Sequence, residues 1–384
     1  MEFRDRYHLE VRPIISGYDR KTCWVQARAG AIPTRPGCVV LTMQKLLLTG
    51  SDVFYELNEL RTDDGGETWS GPVAHKETLG RRDVAPNIET VVCDFCPQWH
   101  AASGTLLGTG HSVMYENNVI MTTVVPRQVA YSAYHPETRT WNPWDTLAFP
   151  EEDVFFHCGS GCSQRWDCED GTILLPVYAT EKSNPNPKVT VVRCGFDGTQ
   201  LTYIERGNFL VLNEGRGYCE ASLAKFQGRY YMTLRNDFRG YVSVSDDGLH
   251  WAEPKEWRFD HGLELGNYNT QQHWVVGPEA LYLVYTRKAG WNDHVFRNRA
   301  PLFMAEVDTD TLSVKRNTER IIVPDRGARL GNFNVTPIDE NETWVIAAEW
   351  MQNDVVGHGE VGAKFCEQYG SDNTIWAARI SWRP

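Results

Sequence analysis

The chain has 384 residues, of which 41% are apolar, and its formal net charge is −12 at pH 7. This negative balance argues against a nucleic-acid surface and against binding to an anionic membrane. It leaves an acidic ligand open, because a local basic pocket can form in an acidic protein. No Ser/Gly tract, charge block or low-complexity run divides the sequence, and we predict one domain over residues 1–384.

The N-terminal stretch contains no apolar signal core, and no later stretch is long and apolar enough to span a membrane. We therefore expect a cytoplasmic protein. Among the ten cysteines, Cys93-x-x-Cys96 and the run Cys158, Cys162, Cys168 have spacings that occur in zinc sites. Because they lie on or beside predicted strands, where a free cysteine behaves as a small buried hydrophobe, we expect no metal.

A strand–turn–strand unit recurs along the chain, each time around a short turn containing Gly, Pro, Asp, Asn or Ser. The units are Ala31–Met43, Trp99–Thr109, Cys162–Val177, Ala221–Leu234, Asn269–Thr286 and Asn334–Ala348. Two similar turn motifs, Thr62–Trp69 and Ser245–Trp251, follow the first and fourth units at the same relative place. In both motifs Asp and Gly suit a tight turn, and Trp can pack back between strands.

The stretch Gly217–Trp251 reads as one complete four-stranded antiparallel sheet. Repetition of such a unit along the chain predicts an all-β fold, a six-bladed β-propeller of four-stranded antiparallel sheets. The alternative is a β-sandwich that contains six unrelated hairpins.

In a propeller, first strands start and second strands end at one face, so the residues at these positions should surround one mouth. They are Arg28 and Gln44, Asp94 and His111, Gln164 and Tyr178, Glu220 and Arg235, Gln271 and Arg287, and Asn334 and Glu349. Asp52, Arg297 and Arg299 lie just past second strands. Converging arginines bind a carboxylate, sulfate or phosphate, and two carboxyl groups across a ligand suit glycoside hydrolysis.

These residues resemble those of the sialidase (neuraminidase) superfamily along nearly the whole chain. The two turn motifs resemble its Asp-box. Arg28 before Ile32-Pro33, Arg235 in Leu-Arg-Asn and Arg299 in Arg-Ala-Pro-Leu are similar to the family's three arginines, with Arg297 as an alternative to Arg299. Asp52 is similar in placement to the general acid, and Glu220 in Cys-Glu-Ala-Ser-Leu resembles the glutamate that acts as base.

The resemblance implies a six-bladed propeller that removes a terminal acidic sugar without a cofactor. One position departs from it, since Phe333 stands where the family has its nucleophilic tyrosine. Tyr268 in the preceding unit is our candidate substitute, with Tyr369 and Tyr218 as further options. Without a covalent intermediate, a carboxylate or His could instead activate water or abstract a proton.

We therefore predict an exo-acting hydrolase of acidic glycans that binds neither nucleic acid nor membrane. Asp52, Glu220 and Tyr268 are its predicted catalytic residues. Its predicted substrate-binding residues are Arg28, Arg235, Arg299, Arg297, Asp94, His111, Gln271 and Asn334. The alternatives are a polysaccharide lyase or other glycosidase acting on uronate-containing glycans, and a non-catalytic carbohydrate-binding propeller. Two of these residues also have a purely structural interpretation. Glu220 could accept a hydrogen bond from a backbone amide, and Arg235 could form an ion pair with Asp237 or Asp246.

Overall fold

The computed structural model of the chain describes residues 6–48, 52–121, 125–184 and 186–383. Nearly all of its regular structure is β, as predicted. The helical segments are α1 (Lys76–Leu79), α2 (Glu360–Tyr369) and two single 3₁₀ turns, Phe296–Asn298 and Arg316–Thr318. No helix in the described ranges is both long and apolar enough to cross a membrane.

The described strands form six antiparallel sheets, which we number I to VI in chain order. The first strand, β1 (Tyr7–Ile15), belongs to the last sheet. Sheet I contains β2 (Thr22–Ala31), β3 (Val39–Leu47), β4 (Phe54–Thr62) and β5 (Ser70–Ala74). Sheet II contains β6 (Arg82–Ala85), β7 (Ile88–His100), β8 (Thr105–Glu116), β9 (Val119–Ile120), β10 (Val129–His135), β11 (Thr140–Trp141) and β12 (Asp145–Thr146).

The remaining sheets follow the same order of inner to outer strands. Sheet III contains β13 (His157–Gly159), β14 (Trp166–Asp167), β15 (Ile173–Thr180), β16 (Lys188–Phe196), β17 (Leu201–Arg206) and β18 (Leu210–Val211). Sheet IV contains β19 (Cys219–Phe226), β20 (Arg229–Arg235), β21 (Gly240–Ser245) and β22 (Lys255–Glu256). Sheet V contains β23 (His273–Val276), β24 (Leu281–Tyr285), β25 (Leu302–Asp308), β26 (Ser313–Val314) and β27 (Arg320–Val323). Sheet VI contains β28 (Asn334–Pro337), β29 (Glu342–Ala348) and β30 (Ile375–Trp382), and β1 completes it in the order β1-β30-β29-β28.

All six predicted strand–turn–strand units are confirmed as antiparallel hairpins. The expected uniform count of four strands is wrong for sheets II, III and V, which contain seven, six and five strands. Their extra strands are mostly two residues long. They arise where an outer or inner strand is interrupted and pairs with its neighbour in two separate pieces.

The hydrophobic core is divided among the interfaces between neighbouring sheets. Six buried clusters lie between sheets I and II, II and III, III and IV, IV and V, V and VI, and VI and I. Because the last cluster joins sheet VI back to sheet I, the sheets form a closed ring. The chain is an all-β β-propeller of antiparallel sheets.

Both turn motifs connect the third and fourth strands of a four-stranded sheet, β4 to β5 and β21 to β22. Oδ1 of Asp247 accepts the backbone N–H groups of Leu249 at 2.8 Å and of His250 at 2.7 Å. Oδ1 of Asp64 accepts the backbone N–H of Thr68 at 2.9 Å. These carboxylates therefore organise turns at the outer edges of the sheets, away from the mouth.

Candidate active site

A β-bulge interrupts the inner strands at the same face of the ring. The pairing register shifts between Val25 and Arg28, between Cys93 and Cys96, and between Cys219 and Ser222. One residue at each corresponding place has a left-handed φ: Gln26 (57°), Asp94 (52°), Cys162 (57°), Glu220 (42°) and Asn269 (46°). Because a bulge re-aims a side chain, these residues are turned out of the strand alternation.

The re-aimed side chains surround a cavity of about 460 Å³ at the mouth of the ring. This volume is within the range of ligand sites, roughly 300–1,000 Å³. Six arginines and four carboxylates line the cavity, although the whole chain is acidic. The arginines are Arg127, Arg216, Arg235, Arg297, Arg299 and Arg329, and the carboxylates are Asp52, Asp94, Glu220 and Asp354.

Three of these arginines are held almost entirely out of solvent. Arg235, Arg299 and Arg329 have exposed fractions of 8%, 5% and 7%. The buried Nε–H of each has no hydrogen-bond acceptor among the described residues. Buried donors are normally paired, so the protein leaves these three guanidinium groups incompletely satisfied.

The arginines also repel one another. Burial lowers the pKa of Arg299 well below its ordinary value, and the charges of Arg235, Arg329 and Arg297 lower it further. Burial and the charge of Arg235 likewise lower the pKa of Arg297. Like charges in a poorly solvated place destabilise the ionised form, and an anion placed among them relieves that cost.

Glu220 is fixed at the mouth by Arg235. Nη1 of Arg235 donates to Oε1 of Glu220, and Nη2 donates to Oδ1 of Asn269 at 2.6 Å. Nη2 of Arg299 donates to the backbone oxygen of Asn269 at 2.5 Å. The predicted base, Glu220, and two predicted arginines thus share one hydrogen-bonded wall of the cavity.

Asp52 lines the same cavity from the connection between β3 and β4. Its φ is 55°, and its backbone oxygen accepts the hydroxyl of Tyr115 at 2.7 Å. The same hydroxyl oxygen accepts the N–H of Phe54 at 3.0 Å. A buried tyrosine from sheet II therefore anchors the turn that presents this carboxylate.

A tyrosine, a histidine and an aspartate form a chain on the sheet II and III side. The Tyr178 hydroxyl lies 2.8 Å from Nδ1 of His111, and Nε2 of His111 lies 3.7 Å from Oδ2 of Asp94. Burial, reinforced by the charge of Arg127, lowers the pKa of His111 well below its ordinary value, so the imidazole is neutral at pH 7. Burial raises the pKa of Tyr178.

Two glycines make room for this chain. A Cβ at Gly159 would lie 2.5 Å from the Tyr178 hydroxyl oxygen, and one at Gly161 would lie 2.2 Å from Nδ1 of His111. Both distances are far inside van der Waals contact. Any larger residue at either position would displace the hydrogen-bonded side chains of Tyr178 and His111.

Arg28 does not contact the cavity as predicted. Its side chain is 0% exposed and lies beneath the floor. It donates to Oε1 of Gln26 at 2.5 Å, to Oδ1 of Asp94 at 3.2 Å, to Sγ of Cys162 at 3.0 Å and to Oε1 of Gln271 at 3.4 Å. It therefore supports the cavity wall instead of presenting its guanidinium to a ligand.

Gln271 and Asn334 are corrected for the same reason. Gln271 is buried and donates from Nε2 to the backbone oxygen of Phe333. Oδ1 of Asn334 accepts the N–H of Ala29 at 3.0 Å, and this residue lines a different cavity of about 310 Å³. Both residues, like Arg28, lie two positions past the residue that faces the mouth. For Arg28 the reason is the register shift between Val25 and Arg28, which the sequence does not reveal.

Tyr268 is also misplaced as a catalytic residue. Its hydroxyl donates to Oδ1 of Asn298 at 2.8 Å, its ring lies against Lys288, and it is not among the cavity residues. It directly precedes Asn269, whose side chain is the one turned toward the arginines. Phe333 is fully buried, and its neighbour Asn332 lines the cavity instead.

Sequence reasoning missed several cavity residues, among them Gln26, Arg127, Cys162, Arg329 and Asp354. Arg329 had one usable signal, because it directly precedes Leu330–Asn334, the second copy of a motif found at Leu265–Asn269. The others had none, since they lie at bulges or in connections between strands.

All ten cysteines are unpaired by disulfides, and eight of them are buried. Within the described part of the chain, no group of three His, Cys, Asp or Glu side chains is placed to hold a metal ion.

Comparison with known proteins identifies the fold. No family model matches the chain, and no curated protein matches it. A Dyadobacter fermentans protein of unknown function matches with a TM-score of 0.66 and 14% identity, over 97% of this chain and 99% of the other. The Hadza microbial sialidase Hz136 matches with a TM-score of 0.64 and 13% identity, over 96% and 68%. Trypanosoma rangeli sialidase matches with a TM-score of 0.61 and 13% identity, over 94% and 55%. The fold is therefore similar to the β-propeller fold found in sialidases.

Proposed function

We propose that the chain is a six-bladed, sialidase-like propeller, with each sheet as one blade and the two turn motifs as Asp-boxes. In this proposal it is an exo-acting glycoside hydrolase that removes a terminal acidic sugar, sialic acid or a relative, from glycans. One observation carries it: Arg235, Arg299 and Arg329 line the same cavity and are close enough for the charges of Arg235 and Arg329 to act on Arg299. A sugar carboxylate would accept hydrogen bonds from these arginines and lower their mutual repulsion.

The catalytic roles go to the two carboxylates that share this cavity with the arginines. Asp52 donates a proton to the leaving glycosidic oxygen, while Glu220, oriented by Arg235, accepts a proton from attacking water. Water is the assigned nucleophile because Phe333 is buried and Tyr268 lies outside the cavity. The first-formed sugar should then have inverted anomeric configuration.

The comparisons agree with an acidic sugar as ligand. Trypanosoma rangeli sialidase has been solved in complex with sialic acid, and that structure matches this chain with a TM-score of 0.61 at 12% identity. At this identity the likeness concerns the fold, so the substrate of the present chain rests on its own arginines.

The test is a screen of aryl glycosides of sialic acids, Kdn, Kdo and uronic acids, followed by NMR of the first-formed anomer. We expect release from at least one acidic glycoside, and little or no release by Arg299→Gln. A matched control is Arg193→Gln, whose guanidinium pairs with Glu205 on the outer part of sheet III. Binding without release of any product would indicate a carbohydrate-binding propeller and contradict the proposal.

A second candidate is elimination from a uronate-containing glycan, favoured by the contact between Tyr178 and His111. Arginines would neutralise the uronate carboxylate, and Tyr178 or His111 would remove the C5 proton. The C5–H electrons would form the C4=C5 bond as the C4–O bond breaks, and the departing oxygen would take up a proton. Ultraviolet absorbance from the conjugated double bond, with no release from simple glycosides, would favour this candidate.

A further inference from the structure

The cavity has a further positive group, Arg127, at the side opposite Arg299 and Arg329. We propose that Arg127 forms a second anion subsite, so that the ligand carries two separate anionic groups, the sugar carboxylate and a further sulfate or carboxylate. This inference rests on the proposed function for the first group. It adds the class of substrate: a doubly charged acidic glycan.

The order of the sheets separates Arg127 from Arg299 and Arg329. Arg127 lies just before β10 of sheet II and forms a backbone bridge with His157 of sheet III. Arg299 precedes β25 of sheet V, and Arg329 precedes β28 of sheet VI. In a closed ring of six sheets, the interface of II with III is opposite the interface of V with VI. Two anionic groups at different positions of one glycan would match these two places.

Arg127 is also uncompensated. No described carboxylate lies within ion-pair distance of its guanidinium, and no described acceptor receives a hydrogen bond from it. Two of the four cavity carboxylates are directed elsewhere: Asp94 toward Arg28 and His111, and Glu220 toward Arg235. A half-buried cation that faces a cavity without a counter-charge favours an anionic group there.

The surroundings of Arg127 supply a further donor and no competing charge. The side chain of Thr180, opposite His157 in the β13–β15 register, lines the cavity with no hydrogen-bonded partner among the described residues. The ring of His157 is held by the backbone oxygen of Val125, 2.7 Å from Nδ1. Burial and the charge of Arg127 lower the pKa of His157, so it is neutral at pH 7. An anion bound by Arg127 would thus have a hydroxyl donor beside it.

The experiment compares singly and doubly charged ligands by isothermal titration calorimetry. The probes are methyl glucuronide, its 2-, 3- and 4-monosulfate esters, and digalacturonate. We expect the wild type to bind at least one doubly charged probe about tenfold or more tightly than methyl glucuronide, the size of one added charge-assisted contact. Arg127→Gln should reduce that preference to within about twofold and leave the affinity for methyl glucuronide unchanged.

Control variants separate the two ends of the cavity. Arg193→Gln, on the outer part of sheet III, should keep the full preference, while Arg299→Gln should weaken all probes alike. Equal affinity of the wild type for every probe overturns the second subsite, and so does a preference that survives in Arg127→Gln. A wild type that binds no probe overturns this inference, whereas the proposed function is then decided by the glycoside screen. Affinity for methyl glucuronide that survives in Arg299→Gln, with the preference intact, overturns the proposed function alone.

Discussion

Glu220 and Arg235 form an ion pair at the mouth of the cavity. Burial would lower the pKa of Arg235, but the negative charge of Glu220 raises it above the ordinary value. Removing either group would leave the other charged and poorly solvated, which is more costly than losing an exposed pair. The pair therefore holds the Glu220 carboxylate in place at the cavity, as a base requires.

We expect Glu220→Gln to lower kcat by about a hundredfold or more, because an amide cannot accept the proton from water. The fold should persist, since the amide oxygen can still accept a hydrogen bond from Arg235. The measurement is steady-state kinetics on the best glycoside from the screen, with circular dichroism to verify folding. Glu214→Gln is the matched control, because that carboxylate lies 3.9 Å from Arg239 and outside the cavity. Full activity in Glu220→Gln would refute its role as the base.

At the scale of elements, hairpins were predictable and bulges were not. Turn residues such as Gln227-Gly228 and alternating apolar runs mark each hairpin in the sequence. A bulge adds one residue to a strand without a required residue type, as Gln26, Asp94 and Cys162 illustrate. Glu220 and Asp94 were correctly placed because the predicted strand start fell on the bulge. Arg28 was placed two positions away from the residue that faces the cavity.

The pairing of the first strand with the last could not be predicted from the sequence either. Pairing of β1 with β30 joins segments more than 360 residues apart, such as Tyr7 and Trp382. No local pattern specifies a partner at that distance. Arg127 and Arg329 were missed for a related reason: they lie in connections, where the sequence carries no periodicity to fix direction.

The glycine-containing connection before β14 yields a prediction at this scale. In Gly161→Ala the new Cβ would lie 2.2 Å from Nδ1 of His111 and 2.6 Å from Cβ of Asp94. We expect displacement of His111 and a loss of ligand affinity of about tenfold or more, measured by calorimetry. Gly195→Ala in β16 is the control, since its Cβ would meet the Thr202 hydroxyl at 3.1 Å and Cδ1 of Ile204 at 3.7 Å, with no closer contact. Unchanged affinity in Gly161→Ala would show that the position of His111 is unimportant for binding.

The Ser245–Trp251 turn yields a prediction for stability and pH. Burial would raise the pKa of Asp247, but hydrogen bonds from His250, Leu249 and Ser245 lower it below the ordinary value of 3.8. A lowered pKa means that the unfolded chain binds protons more readily. The contribution of Asp247 is therefore complete above pH 3.8 and is lost as the pH falls further.

At pH 7 we expect Asp247→Ala to lower the unfolding temperature by about 2–4 °C, because two backbone N–H groups lose their acceptor. The difference from the wild type should shrink below pH 3.8. Asp246→Ala is the control, because that side chain is 95% exposed and makes only a 3.6 Å ion pair. Equal effects of the two substitutions in thermal melts would contradict a turn-building role for Asp247.

At the scale of the whole molecule, the ring is closed by the pairing of the first strand of the sequence with the last. Strand β1 covers the outer edge of sheet VI and pairs with β30 over Tyr7–Ile15. Tyr7 also packs edge-on against Tyr282 of sheet V, with ring centroids 5.8 Å apart. Closure therefore links the sheet VI edge to its neighbour as well as to the chain terminus.

We expect removal of residues 1–15 to lower the unfolding temperature by more than about 5 °C, because the edge of β30 loses its partner and apolar contacts. Differential scanning calorimetry of the truncated chain measures this change. A synthetic peptide of residues 6–15 added in excess should restore part of the lost stability. A truncated chain that melts like the wild type would show that β1 contributes little to closure.

The whole-molecule charge also bears on binding. A chain with net charge −12 repels anions at long range, yet the cavity at its mouth is lined by six arginines and only four carboxylates. Association with an acidic glycan should therefore depend on the local field of the cavity, which acts over about a Debye length.

The bulge residues of sheets I to V have a consequence for how such a protein can change its chemistry. Each of these positions is defined by main-chain geometry, and Gln, Asp, Cys, Glu and Asn all occupy it in this one chain. The side chain at such a position can therefore change while the main chain around it keeps its conformation. New specificities, whether natural or engineered, should arise first by substitution at these few places, while the hairpins around them stay as they are.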